Sequence, residues 1–255
     1  PEVPPTAADK VGPNFDAQCE AMIEARPHVI SSIMGLYPAH YVKRIKAAEI
    51  AWFATVTTVA EAKAAEAAGA DVIVAQGMEA GGHRGTFEGG NAENCLIGLF
   101  SLLPAIVDAV EIPVVATGGI VDSRGACAAL LLGASAVQIG SGFLRTPEAA
   151  IATVWADAME HVVPENTAVT RAFSGRLGRS IRTAYIDATT KVDAPIAAPY
   201  PIQRNLTTSM RVAAVKENNL DAMQVWAGQS AGLARSDSAK DVLEDIWTGM
   251  QESLG

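Results

Sequence analysis

The sequence predicts an α/β fold of repeated strand–helix units around a parallel sheet. Short β-branched runs alternate with alanine-rich helical runs, and capping residues and glycines bracket the helical ones. Several strand runs are also apolar at almost every position, as expected for strands buried on both faces under covering helices.

The elements follow in order. His28 to Met34 reads as the first strand and Trp52 to Thr57 as the second. Thr58-Val59-Ala60-Glu61 is a capping box, in which hydroxyl and carboxylate each satisfy a free N–H of the first turn. A helix runs from Ala62 to Ala68 and stops at Gly69, a natural residue after a helix end. Asp71 to Gln76 is the third strand. Leu96 to Val110 carries a broad apolar stripe and reads as a helix. Pro113 to Thr117 is the fourth strand and runs into Gly118-Gly119. Asp122 caps a helix over Ser123 to Leu132, closed by Gly133. Ala136 to Ile139 is the fifth strand and runs into Gly140-Ser141-Gly142. Thr146 reads as the cap of a further helix with Pro147 in its first position, where a missing N–H costs nothing. After Ala158 the alternation stops. The remainder reads as helical, with a proline-rich connector from Ala194-Pro195 to Tyr200-Pro201. The expected organisation is therefore a barrel-type portion over 1–160 and a helical C-terminal region over 161–255 packed on it.

The 255 residues carry a formal net charge of −9 and are 49% apolar. An acidic chain lacks the basic face of a nucleic-acid binder, so that class is set aside. Cys19, Cys95 and Cys127 are odd in number and widely spaced, which predicts neither a disulfide framework nor a metal site and fits a reducing, cytoplasmic compartment. No apolar run approaches a membrane span, and the start lacks the basic and apolar regions of a signal peptide.

The chemistry concentrates in Ala75-Gln76-Gly77-Met78-Glu79-Ala80-Gly81-Gly82-His83-Arg84-Gly85, directly after a buried strand. That places it at the carboxyl edge of a parallel sheet, where such folds bind ligands. Its glycines allow close backbone approach to a flat ligand, and His83 is suited to acid–base work near neutral pH. The competing reading is a polar turn with a solvated imidazole. Thr117-Gly118-Gly119-Ile120 and Gln138-Ile139-Gly140-Ser141-Gly142 follow the next two strands. Their bare N–H groups suit a phosphate, although small residues are also what tight helix–sheet packing needs. Walker A, GxGxxG and GxSxG motifs are absent. Glu79 reads as fixing its loop more than orienting His83. Arg84 is read either as a binder of a substrate carboxylate or as a partner of Glu88. Arg171, Arg176, Arg179 and Arg182 form a basic cluster whose default is a solvated face.

At AQGMEAGGHRG (75–85), PVVATGGI (113–120), RGACAALLLGASAVQIGSGFLRTPEA (124–149) and Trp226-Ala227-Gly228-Gln229 the sequence closely resembles the nitronate monooxygenase family, formerly the 2-nitropropane dioxygenases. The resemblance covers about residues 28 to 232. It implies a TIM-type (βα) barrel with FMN at its carboxyl mouth and FMN contacts from Gln76, Gly81, Gly119, Gln138, Ile139, Gly140 and Ser141, with Gly82 and Gly118 beside them. It implies that His83 is the active-site histidine, binding the nitro group and removing the α-proton of neutral nitroalkanes. Alkyl nitronates would be oxidised by O2 to a carbonyl compound and nitrite, with no metal. Trp226 would lie near the active-site mouth. By the family pattern the first three barrel strands are lacking, Val29 to Met34 supplying the fourth, so the sequence reads as strands four to eight of a longer chain. The stretch Leu177 to Thr183 departs from the family's usual continuation. Rival readings are an NAD(P)H-dependent FMN reductase of the enoyl-acyl-carrier-protein or quinone type, and a barrel that binds FMN without catalysis. A homodimer is compatible with all of them.

Overall fold

The computed structural model describes residues 14–255. Five strands form one parallel sheet in the order β1-β2-β3-β5-β6: β1 (Val29–Ser32), β2 (Ala51–Val56), β3 (Val72–Gln76), β5 (Val114–Thr117) and β6 (Ala136–Gln138). All four pairings are parallel. Each strand predicted from the sequence is present, with ends moved by a few residues. Helices α1 (Phe15–Glu24), α2 (Ala39–Ala47), α3 (Val59–Ala67), α4 (Leu99–Val107) and α5 (Ser123–Leu131) alternate with them.

Apolar burial accounts for this layering. Trp52, Ile73, Leu102, Leu103 and Ile106 are essentially inaccessible and join one core between sheet and helices. Each such side chain contributes on the order of 2 kcal/mol. The caps act as predicted: Thr58 accepts from the Glu61 N–H at 3.1 Å, and Asp122 from the Gly125 N–H at 3.2 Å. Gly133 adopts φ +100°, and a Cβ there would meet Val107 Cγ1 at 2.8 Å. Only glycine ends α5 so close to α4.

Glu61 does not close the predicted capping box on the Thr58 N–H but reaches one residue further back. Its carboxylate accepts from the Thr57 N–H and hydroxyl at 2.7 and 2.8 Å, and from the Phe87 N–H at 2.7 Å. It thereby ties the start of α3 to the chain beyond His83.

Two further expectations need correction. Thr146 caps no α-helix: its hydroxyl donates to the Phe143 carbonyl at 2.9 Å. Only one 3-10 turn, Pro147–Ala149, follows, because Ala150 turns left-handed at φ +50°. The α-helix α6 starts later, over Thr153–Glu160. The region after residue 160 does hold helices, α7 (Ala184–Thr189), α8 (Ile202–Leu206), α9 (Thr208–Lys216) and α10 (Ala239–Leu254), but also two strands. β7 (Thr167–Thr170) and β8 (Gly178–Ile181) join the two-residue β4 (Gly82–His83) in an antiparallel sheet ordered β4-β8-β7. These strands are short and carry Gly178 and Arg179 where a pattern search expects apolar residues, so they left no periodic signal. Val242 and Ile246 of α10 belong to the same core as the parallel sheet. Among the described residues no single helix is long and apolar enough to cross a membrane.

Glu61→Ala strips partners from three donors at once and is expected to cost about 2–3 kcal/mol, read from the urea midpoint. An unchanged midpoint contradicts the bracing role.

Candidate active site

The apolar character of the strands ends along one row. Gln76, Thr117 and Gln138 lie side by side in register at the carboxyl ends of β3, β5 and β6. Above them opens a cleft of about 350 Å³, whose lining includes Gln76, His83, Gly118, Gly119, Gln138 and Gly140. Gly81 and Ser141 also reach it. Ile139 and Gly82 do not line it: Ile139 packs against the core, while Gly82 has open space around it.

The loop between β3 and β4 is held by its own residues. The Gln76 side chain donates from Nε2 to the His83 carbonyl at 3.1 Å and accepts at Oε1 from the Gly85 N–H at 2.8 Å. Arg84 closes the turn from the other side. It donates to the carbonyls of Gln76 and Cys95, both at 2.6 Å, and is 5% exposed. Burial pulls its guanidinium down to about 10, which leaves it charged at neutral pH. Arg84 therefore neither meets a substrate carboxylate nor pairs with Glu88. Glu79 fixes the loop: its two oxygens accept from the Leu99 N–H at 2.9 and 3.1 Å, at the start of α4, where a carboxylate is favoured.

His83 is not a solvated turn residue. Its Nε2 lies 2.7 Å from the Ser174 hydroxyl. The centroids of Trp226 and Tyr200 lie 5.2 and 6.1 Å from its own. Burial first, and then the positive charges of Arg176 and Arg204, push its pKa down to about 4. The ring is therefore neutral over the physiological range.

The expected arginine face is mostly built in. Arg179 is 7% exposed and donates to the Met78 carbonyl and the Thr167 hydroxyl, both at 2.9 Å. Arg171 pairs with Glu93 at 2.7 Å, and Arg176 donates to the Thr86 carbonyl. Arg182, paired with Asp187, alone keeps more than half its side chain in solvent. The cluster fastens the second sheet to the loop carrying His83.

The glycines divide by function. A Cβ on Gly81 would lie 2.5 Å from the Gly228 nitrogen, so this residue lets the Trp226–Gln229 segment pass against the loop. Gly118 and Gly119 turn at φ +107° and +73° against Ala80 and Glu79. Gly140, by contrast, would present a Cβ to empty space. Ser141 accepts from the Gly228 N–H at 2.8 Å, and Ser230 donates to the Gly119 carbonyl at 2.7 Å. Met34 enters the cleft at φ +68°. Sequence reasoning missed Met34, Ser174, Tyr200 and Ser230. Nothing in the sequence reading pointed to Ser174, which lies between two arginines of the basic cluster.

Arg84→Ala is expected to cost about 3 kcal/mol, because it leaves the buried Gln76 carbonyl without its donor and takes one of two donors from the Cys95 carbonyl. Substrate KM in the surviving folded fraction should stay within about twofold; a large KM increase at unchanged stability restores the carboxylate-binding role. His83 also makes stability depend on pH. Its pKa is lower folded than unfolded, so the unfolded chain binds the extra proton first. Stability should fall as the pH drops from 6.5 toward about 4, and His83→Gln should lose that component in acid-titrated urea melts. An identical acid slope in both proteins contradicts the assignment.

Comparison with known proteins gives the family to which this fold belongs. The family model for nitronate monooxygenase matches residues 1–249. A probable nitronate monooxygenase from Staphylococcus aureus strain Newman is 38% identical over 232 residues. The match covers 91% of this chain and 65% of that protein, so the chain spans about two thirds of its relative's length. Nitroalkane oxidase from Streptomyces ansochromogenes superposes with a TM-score of 0.88 at 35% identity, covering 94% of this chain and 69% of that one. FabK from Thermotoga maritima gives 0.79 at 30% identity, covering 96% and 74%. The resemblance first seen in the glycine-rich segments thus extends over most of the chain, and the chain belongs to the nitronate monooxygenase family.

Proposed function

We propose that this chain carries the FMN and substrate site of an enzyme that oxidises alkyl nitronates with O2 to a carbonyl compound and nitrite. The observation that carries the reading is a single cleft in which a buried, neutral imidazole faces a glycine-rich floor at the carboxyl ends of β5 and β6.

The residues present fit a flavin. Open space at Gly140, which lines the cleft, leaves room for a bound group against bare backbone. The N–H groups of Gly118, Gly119 and Gly140 meet no protein acceptor among the described residues, which suits a phosphate or ring oxygens. Gln76, Gly81, Gln138 and Ser141 would complete the contacts, and Ile139 would contribute only its backbone. When bound, FMN supplies a two-way electron carrier between substrate and O2.

The chain's own residues bias the substrate. The positive charges of Arg176 and Arg204, felt at His83 on the cleft wall, favour an anion there, although the protein as a whole is acidic. An imidazole whose conjugate acid lies at about 4 is a weak base toward a carbon acid. Both effects favour a nitronate that arrives already ionised. Its charge would raise the pKa of His83 and turn the ring into a hydrogen-bond donor. Neutral nitroalkanes would react more slowly, with His83 removing the α-proton. An NAD(P)H-dependent FMN reductase, left open by the sequence, is the second reading. We place the protein in the cytoplasm, in keeping with its three free cysteines.

Nitrite release and O2 uptake on adding propionate 3-nitronate test the function, and NADH consumption without nitrite sinks it. His83→Ala should keep FMN and lose turnover of neutral nitroalkanes by about a hundredfold or more. Gly140 has φ −105°, which any residue tolerates. Gly140→Val should therefore melt like the parent protein yet bind FMN at least about tenfold more weakly by flavin fluorescence, roughly 1.4 kcal/mol. Unchanged affinity removes Gly140 from the cofactor floor.

A further inference from the structure

We propose that Ser174 is a positioning residue that fixes His83 as its Nε2–H tautomer and leaves Nδ1 as the unprotonated nitrogen that meets substrate. The inference rests on His83 being the acid–base group of the proposed function, and it adds the residue that decides which ring nitrogen does the work.

The hydrogens around one oxygen decide the tautomer. Ser174 is 1% exposed, and its Oγ has three polar neighbours. The Arg176 N–H, at 3.3 Å, has only a hydrogen to offer. The Arg176 carbonyl, at 3.2 Å, has only lone pairs. His83 Nε2, at 2.7 Å, is able to play either part. A serine hydroxyl owns one hydrogen. If that hydrogen goes to the Arg176 carbonyl, all three contacts are matched, provided that Nε2 carries the imidazole proton and donates it to Oγ. If the hydrogen goes to Nε2 instead, two oxygens 3.2 Å apart face each other with lone pairs only, and the Arg176 carbonyl has no other donor among the described residues. Unmatched groups in a buried network are the costly alternative, so the first arrangement prevails.

Nδ1 has no protein partner among the described residues, whereas the ring itself lines the cleft. Gly178, paired with His83 across the ladder, and the rings of Trp226 and Tyr200 hold the imidazole plane. In the proton step, the α-proton of a neutral nitroalkane passes to Nδ1 and the C–H electron pair stays on the substrate as the nitronate. The new imidazolium keeps its Nε2–H on Ser174, and the serine hydrogen stays on the Arg176 carbonyl. No second proton moves, and the pair is already oriented for the charged state of the ring.

The test is the tautomer itself. Long-range 1H–15N correlation of the histidine rings at neutral pH, in the 15N-labelled protein without substrate, resolves four histidines, with His83→Gln supplying the assignment. The expected spectrum shows His83 with protonated Nε2 and unprotonated Nδ1. Ser174→Ala should lose that preference, with both nitrogens moving toward averaged shifts, and Ser174→Thr should restore it. On the kinetic side, Ser174→Ala should lower kcat for neutral nitroalkanes about tenfold or more while KM changes less than about threefold. A parent protein with Nδ1 protonated overturns the proposal without any variant having to fold, and so does a Ser174→Ala spectrum identical to the parent. Because the spectrum needs no turnover, it fails or succeeds separately from the nitrite assay that judges the function.

Discussion

The site depends on one reciprocal brace. Gln76 ends a buried strand, and its amide grips the chain at His83 and Gly85. Arg84, between those two residues, reaches back to the carbonyl of Gln76. A loop rich in glycine would otherwise be among the most mobile parts of the molecule, since glycine loses most entropy on ordering. Here that entropy is offset by buried, charge-assisted bonds of a planar guanidinium to fixed carbonyls. Glu79 and Glu61 repeat the device at either side, each carboxylate accepting backbone N–H groups at a helix start. The second sheet then covers the loop, with β4 pairing to β8 and Arg179 reaching under it to Met78.

This construction puts positive charge close to His83 in a protein that is acidic overall. Net charge acts at long range and is screened, while the chemistry responds to the few charges in partial burial beside it. Arg176 and Arg204 lie near enough to His83 to depress its pKa beyond what burial does. The same two cations would stabilise an anion in the cleft. A neutral imidazole and a positive surround are two consequences of one arrangement, and both favour a substrate that brings its own negative charge.

Much of this was legible in the sequence because it rests on local rules. The five parallel strands were readable from apolar runs ending at glycines, and the caps at Thr58 and Asp122 from residue type and spacing. The row Gln76, Thr117, Gln138 was visible as the place where each run stops being apolar. What escaped depends on contacts distant in the chain. β7 and β8 exist because the loop at Gly82 and His83 offers them an edge, and no periodicity marks four-residue strands of mixed polarity. Ser174 meets His83 across 91 residues. The arginines after Arg171 looked like a solvated face because sequence shows charge but not the carbonyls that await it. Gly81 shows the converse: it lines the cleft, and its lack of a side chain also lets the Gly228 segment pass, a packing demand that sequence does not show.

The central claim is that this cleft holds a flavin that a nitronate reduces. The most direct measurement is the anaerobic absorbance spectrum of the FMN-loaded protein during titration with propionate 3-nitronate and, in a separate cuvette, with NADH. The account predicts loss of the oxidised flavin bands with the nitronate and an unchanged spectrum with NADH. Reduction by NADH alone, or a protein that takes up no FMN, would contradict it.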